Sequence, residues 1–227
     1  MPSPVNSRRF GLYPSLGNRG RFPVDPAKSG GSSLKFIGVT SVPSNQSLAS
    51  LNVGPAASNR TLVFVFSAFY NNSGPQISSW LIDGVPIDYV DGSFAQAGQS
   101  VICGIGYVKK EAKSNVKLDM TLAGTVGGAV IAVYQLFTPN PKPSIIKQFN
   151  AGTTGSIILG KGSVGVFTSG TGDIAQVDSI KNGIIDYDNS ASTLRISPIG
   201  RVVRPSLPLI LTADRTAQFK MTAVAWD

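Results

Sequence analysis

Aspartate is the residue this chain would have to use for acid–base or metal chemistry. Histidine is absent from its 227 residues, and glutamate occurs once, as Glu111. Without histidine there is no Ser-His-Asp triad, no Cys-His dyad and no His-ligated zinc. Two acidic stretches remain. DGVPIDYVDG sets Asp83, Asp88 and Asp91 around an expected hairpin, and DYDNS sets Asp186 and Asp188 beside Asn189. Calcium takes several oxygen ligands from one loop, which makes the first trio a candidate metal site. Neither stretch has the spacing or the closing Glu of the twelve-residue calcium loop, and Asp beside Gly is ordinary turn chemistry. Turns are therefore expected, with no metal and no cofactor. A two-carboxylate glycosidase is formally open to Asp. No pair of carboxyls in visibly different surroundings stands out, so the chain is expected not to be an enzyme.

Other reactive-looking pieces reduce to structure. The single cysteine, Cys103, sits in SVICGIGYV and is expected to be a buried, inert thiol. GTTGSIILGKGS and GTVGGA lack the Gly-Lys-Ser/Thr ending of a phosphate-binding loop. Acceptor triplets at Asn45, Asn59 and Asn71 matter only on a eukaryotic secretory route. No apolar run is long enough for a membrane span or a secretory leader, so residence in a cytoplasm, or in a particle assembled there, is expected.

Binding is the other chemistry the residues offer. The first 35 residues carry Arg8, Arg9, Arg19, Arg21, Lys28 and Lys35 against Asp25 alone, which is more than half of the chain's net +8. Phe10, Leu12, Tyr13, Leu16 and Phe22 are interspersed with glycines and prolines that forbid a continuous helix. Such a segment builds no core of its own. Arg with aromatics can grip single-stranded nucleic acid or anchor a subunit on a protein surface. The cations are sparse, with no run beyond Arg8-Arg9, whereas phosphate binding needs many simultaneous contacts. Protein docking through Arg8, Arg9, Phe10, Tyr13, Arg19, Arg21 and Phe22 is the expectation. Trp80, Tyr89, Tyr107 and Tyr187 are candidates for a sugar-binding surface, weighed against a place in the core.

These residues need elements to hold them, and the pattern is one of short strands. Charged residues are 14% of the chain, below the ~25% of an ordinary domain. LKFIGVTSV (34–42), TLVFVFSAFY (61–70), ISSWLIDG (77–84), VPIDYV (85–90), SVICGIGYV (100–108), VKLDMTL (116–122) and GAVIAVYQLF (128–137) read as strands. The nearly continuous apolar runs are expected to be buried on both faces. In VKLDMTL, Val116, Leu118, Met120 and Leu122 face inward. Pro139–Pro143 is a stiff connector, read as a link between sheets because the C-terminal third has few strong apolar runs. Asn182-Gly183, between Ile180 and Ile184, is the strongest two-residue hairpin signal. AQFKMTAVAW would set Ala217, Phe219, Met221 and Ala223 on one face. Spacing of about 8–12 residues between strands suits a sandwich, and no fixed-period repeat is visible. The expected fold is all-β: an extended basic docking arm, residues 1–32, before an antiparallel β-sandwich of jelly-roll type, residues 33–227.

The arm SRRFGLYPSLGNRGRFP, with FIGVTSV, LVFVFSAFY, SSWLIDGVPI, AVIAVYQLF, SIILGKGSVGVFTSG and FKMTAVAW, resembles the β-sandwich modules of tailed-bacteriophage virion proteins. The resemblance is one of texture over most of the chain. It implies a non-enzymatic structural subunit, capsid-associated or part of a tail or adaptor, located in the virion. Its partners would be itself, as a homo-oligomer, and other virion proteins, with the arm as anchor. The alternative is a carbohydrate-binding module or adhesin on the virion surface, whose partner would be a host-surface glycan.

Overall fold

A computed structural model of the protein describes residues 32–43, 47–70, 77–92, 94–96, 99–122, 128–151, 154–160, 162, 164–171, 177–189, 196–202, 205–213 and 219–227. Residues 1–31 of the expected docking arm, with its candidate anchors Arg8, Arg9, Phe10, Tyr13, Arg19, Arg21 and Phe22, lie outside the described residues. All described elements are strands or short turns, and every pairing between strands is antiparallel.

The first ten strands are β1 (Ser33–Ser41), β2 (Ser47–Asn52), β3 (Arg60–Tyr70), β4 (Ile77–Ile82), β5 (Val85–Pro86), β6 (Asp88–Asp91), β7 (Phe94–Gln96), β8 (Gln99–Lys109), β9 (Asn115–Leu122) and β10 (Gly128–Phe137). They form two sheets. One runs β1-β10-β3-β8-β6 with β7 beside β8, and the other runs β2-β9-β4-β5. The remaining eight are β11 (Ile145–Ala151), β12 (Thr154–Ile157), β13 (Val164–Thr171), β14 (Val177–Lys181), β15 (Gly183–Asn189), β16 (Ile196–Val202), β17 (Leu209–Ala213) and β18 (Phe219–Trp226). They form a sheet β11-β18-β13-β16-β15 and a sheet β12-β17-β14.

The strand order repeats. Numbered within each half, leaving out the short β5 and β7, one sheet reads 1-8-3-6-5 and the other 2-7-4 in both halves. The runs 1-8-3-6 and 2-7-4 are those of a jelly roll, with the fifth strand placed beside the sixth. The body therefore holds two jelly-roll sandwiches, and the Pro139–Pro143 connector joins them. The single sandwich expected over residues 33–227 is thus two, each with its own core. Leu62, Phe64, Phe66, Trp80, Leu118 and Ile131 fill the first. Phe167, Leu209, Leu211, Met221 and Ala223 fill the second.

A third buried layer lies between the sandwiches. Val63, Val65, Ile105, Ala132 and Tyr134 meet Val166, Ile199, Val224 and Trp226 there. Strand periodicity produces this division, because successive side chains point to opposite faces. In β3, Leu62, Phe64 and Phe66 point into the first core while Val63 and Val65 point at the other sandwich. β18 behaves alike: Met221, Ala223 and Ala225 face the second core, and Val224 and Trp226 face the joint. Met221 and Ala223 thus share a face as expected, and the other face of β18 is buried as well.

The inner sheets stack with strand orders running in opposite senses. β13 meets β8 and β3, β16 meets β3 and β10, and β18 meets β8. Apart from a contact of β1 with β13, exchanging equivalent strands between halves maps these contacts onto one another. The central joint thus has the pattern of a twofold axis between the third strands, β3 and β13.

One of two expected turns forms as read and the other does not. Asp83 and Gly84, at φ +53° and +78°, form the tight turn joining β4 to β5. Asn182-Gly183 does not close a paired hairpin, because β14 pairs with β17 and β15 with β16. Only Asn182 is left-handed there, at φ +64°. A Cβ on Gly183 would lie 2.9 Å from Leu209 and Phe167 carbons, so the glycine serves close approach as the chain changes sheets.

Candidate functional site

The three aspartates of the candidate metal site do not converge. Asp83 sits in the β4–β5 turn, where Oδ2 is 2.9 Å from Lys110 Nζ and 3.0 Å from Lys113 Nζ. Its Oδ1 accepts the Lys117 main-chain N–H at 2.8 Å. The Lys110 contact, then that N–H, hold the Asp83 carboxyl well below its ordinary range against the opposing effect of burial. Asp88 and Asp91 lie on β6, opposite Tyr107 and Gly104 of β8. Among the described residues no three acidic or sulfur ligands gather closely enough to hold a metal ion. The local cause is the tight turn, which aims Asp83 at the lysine-rich β8–β9 loop.

The aromatic candidates for a sugar platform are packed inward. Trp80 is 1% exposed and meets Phe64, Phe66 and Tyr89 at 6.1–6.3 Å between ring centroids. Tyr89 is half-buried and donates its hydroxyl to Ile77 O at 2.9 Å. Tyr107 sets its ring edge-on to Trp226, and Tyr187 packs on the layer between the sandwiches. Burial, then the nearby Asp88 charge, raise the Tyr107 phenol. Sugar binding on stacked aromatics needs an open ring face, and all four of these rings are at least half-buried.

The structure instead brings together polar groups at positions the sequence reading left aside. At the edge of the joint, Tyr134 of β10 donates its hydroxyl to Asp186 Oδ2 at 2.9 Å. The same carboxylate receives Arg201 in a fork, Nε to Oδ2 at 2.9 Å and Nη2 to Oδ1 at 2.9 Å. The Asp186 side chain is 5% exposed and that of Arg201 29%. Burial, then the charge of Asp186, push the Tyr134 phenol up, so the hydroxyl remains a donor. This clasp ties the first sandwich to the second through charge-assisted bonds.

A second cradle holds loops. Arg60, fully buried, gives Nε to Lys110 O at 2.7 Å, Nη1 to Pro55 O at 2.6 Å and Gly54 O at 3.2 Å, and Nη2 to Lys113 O at 2.5 Å. Gln135 adds Nε2 to Val53 O at 2.8 Å and Pro55 O at 2.9 Å. Desolvation lowers the Arg60 pKa from its ordinary value. The arrangement fixes two loops at one end of the first sandwich and points its donors at main chain. The sequence held a usable signal for both cradles. A Tyr-Gln pair inside a doubly buried run, VYQLF, must find partners.

Small polar side chains also meet within the joint. Ser67 is the neighbour of Cys103 across β3 and β8, and Thr168 of Thr222 across β13 and β18. The Ser67, Thr168 and Thr222 hydroxyls are buried without a hydrogen-bond partner in the structure. Cys103 is buried as expected, with Sγ 3.0 Å from Gly92 O.

One surface differs between the sandwiches. In the first, β5 pairs with β4 and covers its outer side, and Ile87 beside it is buried. In the second, β14 ends its sheet and β15 ends the other. Ile184 and Ile185, at the start of β15, are 41% and 43% exposed. Compared with known proteins, the chain matches no family model and no curated sequence.

Proposed function

We propose that the chain is a structural subunit of a phage particle, capsid-associated or a tail or adaptor component, that assembles by protein–protein contacts and is anchored through its basic N-terminal arm. One observation carries the reading: two jelly-roll sandwiches are fused back to back through a buried apolar layer and locked by the Tyr134–Asp186–Arg201 clasp. The polar groups are spent on that rigidity. Asp83 and Asp186 serve lysines and an arginine, and Arg60 serves loop carbonyls. A rigid block with a long cationic, aromatic-bearing arm suits a building unit joined to neighbours. The buried state of Trp80 removes the strongest support for the carbohydrate-binding alternative.

Deleting residues 1–26 should abolish incorporation into particles while circular dichroism of the body stays unchanged. Normal incorporation of the truncated protein would overturn the reading. Light scattering on both forms measures the assembly step directly.

A further inference from the structure

One end of the second sandwich is apolar and uncovered. Three connections meet there: β12 to β13, β14 to β15 and β16 to β17. Ile158 and Leu207 lie in the first and last of these, and Ile184 follows the second; all three are exposed. Asn182 Nδ2 donates to Pro208 O at 2.6 Å and draws two of the connections together. The matching end of the first sandwich is closed by its own loops, which Arg60 and Gln135 hold by their carbonyls. Among the described residues no buried cation does the same for the second. Gathered apolar side chains of this kind mark a surface that another segment covers.

The described chain begins at that same end. Trp226 pairs with Val164, the first residue of β13, and Ser32 Oγ bonds the main-chain oxygen of Asp227 beside it. Tyr134, the neighbour of Phe36 across β10 and β1, bonds Asp186, so the β1 edge of the first sandwich faces the β15 edge of the second. From Ser32 the start of β15 is one layer away and the outer sheet two, about 20 Å at ~10 Å per layer. The segment FPVDPA, residues 22–27, lies at the matching chain distance. A polyproline-type chain rises ~3.1 Å per residue, which carries Asp25 about 22 Å from Ser32. Pro23 and Pro26 lack an N–H and suit a surface of turns, where no strand ladder is on offer. Phe22 and Val24 supply apolar cover. Asp25 is the one acid among residues 1–31, and Lys181 is exposed where β14 ends.

We propose that residues 22–27 fold back over their own chain as a strap, passing Ile184 and setting Phe22 and Val24 on Leu207 and Ile158. A segment tethered this close has an effective concentration of order millimolar, which favours the chain's own end over that of a second copy. The inference goes beyond the assembly reading and divides the arm. Phe22 serves the chain's own body, and Arg8, Arg9, Phe10 and Tyr13 are left for a neighbour.

Disulfide closure within the full-length chain tests it. Arg21→Cys is combined with Ser206→Cys, which leaves Phe22, Val24 and Leu207 in place, and in a second protein with Val85→Cys. Native Cys103 is buried in both. Val85 is the comparison because it is 57% exposed at the same end, on the first sandwich. Under mild oxidation of dilute protein, the 21–206 disulfide should form within the monomer about tenfold faster than the 21–85 disulfide, or more. Adding Leu207→Ser to the first protein should slow closure towards the rate of the second. Equal rates overturn the strap, as does failure of both pairs to close or closure indifferent to Leu207→Ser. Disulfides that form only between chains overturn the assignment to the chain's own arm. Preferred closure together with normal particle entry of the protein lacking residues 1–26 removes the assembly reading and leaves the strap standing. Lost entry with equal closure rates removes the strap alone.

Discussion

Asp186→Asn takes away the charge that both Arg201 and Tyr134 need, and leaves a largely buried guanidinium without its counter-ion. Breaking a buried pair from one side costs about 3 kcal/mol or more, and urea unfolding should show a loss of that order. Tyr134→Phe removes one bond to a charged group and should cost less, about 1.5 kcal/mol. Asp83 gives a pH signature with a definite sign. Its folded-state pKa is depressed, so its contribution is present above the unfolded value of about 4 and is lost as pH falls below it. The stability gap between the native protein and Asp83→Asn should therefore be open at pH 7 and shrink as the medium becomes more acidic than pH 4. Asn tolerates the left-handed turn position, so the comparison isolates charge. Thr222→Val should be neutral or stabilising by thermal melting, because it removes a buried hydroxyl without a partner at nearly constant shape.

At the level of strands, Gly92 makes a close approach that no other residue fits. A Cβ there would fall 2.4 Å from Thr222 Oγ1 and 3.0 Å from Cys103 Sγ, against the facing sheet. Gly92→Ala should cost about 1–3 kcal/mol as an overpacked contact, and adding Thr222→Ala should recover part of it in the same melting experiment. Strand identity was legible in the residues. Val116, Leu118, Met120 and Leu122 alternate inward as their spacing required, and β3 and β10 are buried on both faces as their unbroken apolar runs indicated. Pairing was not legible. β1 finds β10 about a hundred residues away, and nothing local specifies that partner. The clasp was legible from one side alone: Tyr134 in a doubly buried run calls for a partner, but DYDNS looks like a turn until Asp186 is set against Tyr134. The partners of Asp83 were not legible either, since Lys110 and Lys113 are far along the chain and no local spacing announced them.

For the molecule as a whole, the layer between the sandwiches makes each half a poor independent body. Residues 32–138 alone would expose Val63, Val65, Ile105 and Tyr134 on one sheet face. Exposed apolar faces of that kind drive association, so the fragment should run as aggregates or dimers by light scattering. The full body should melt in one transition, with circular dichroism and Trp fluorescence coinciding. The two tryptophans make the test specific. Trp80 reports the first core and Trp226 the joint, and a gap between the two probes would show the sandwiches parting before they unfold.

Ser32 Oγ bonds both Thr138 Oγ1 and the main-chain oxygen of Asp227. The entry of the body, the crossing between its halves and its last residue therefore meet at one spot. Chain continuity there is interchangeable. Linking Asp227 to Ser32 through a few glycines and opening the backbone among Pro139–Pro143 should yield a circular permutant with the halves in reverse order and the same fold. A passenger fused after Asp227 would emerge beside the root of the arm, so anything the arm approaches would find the passenger in its way.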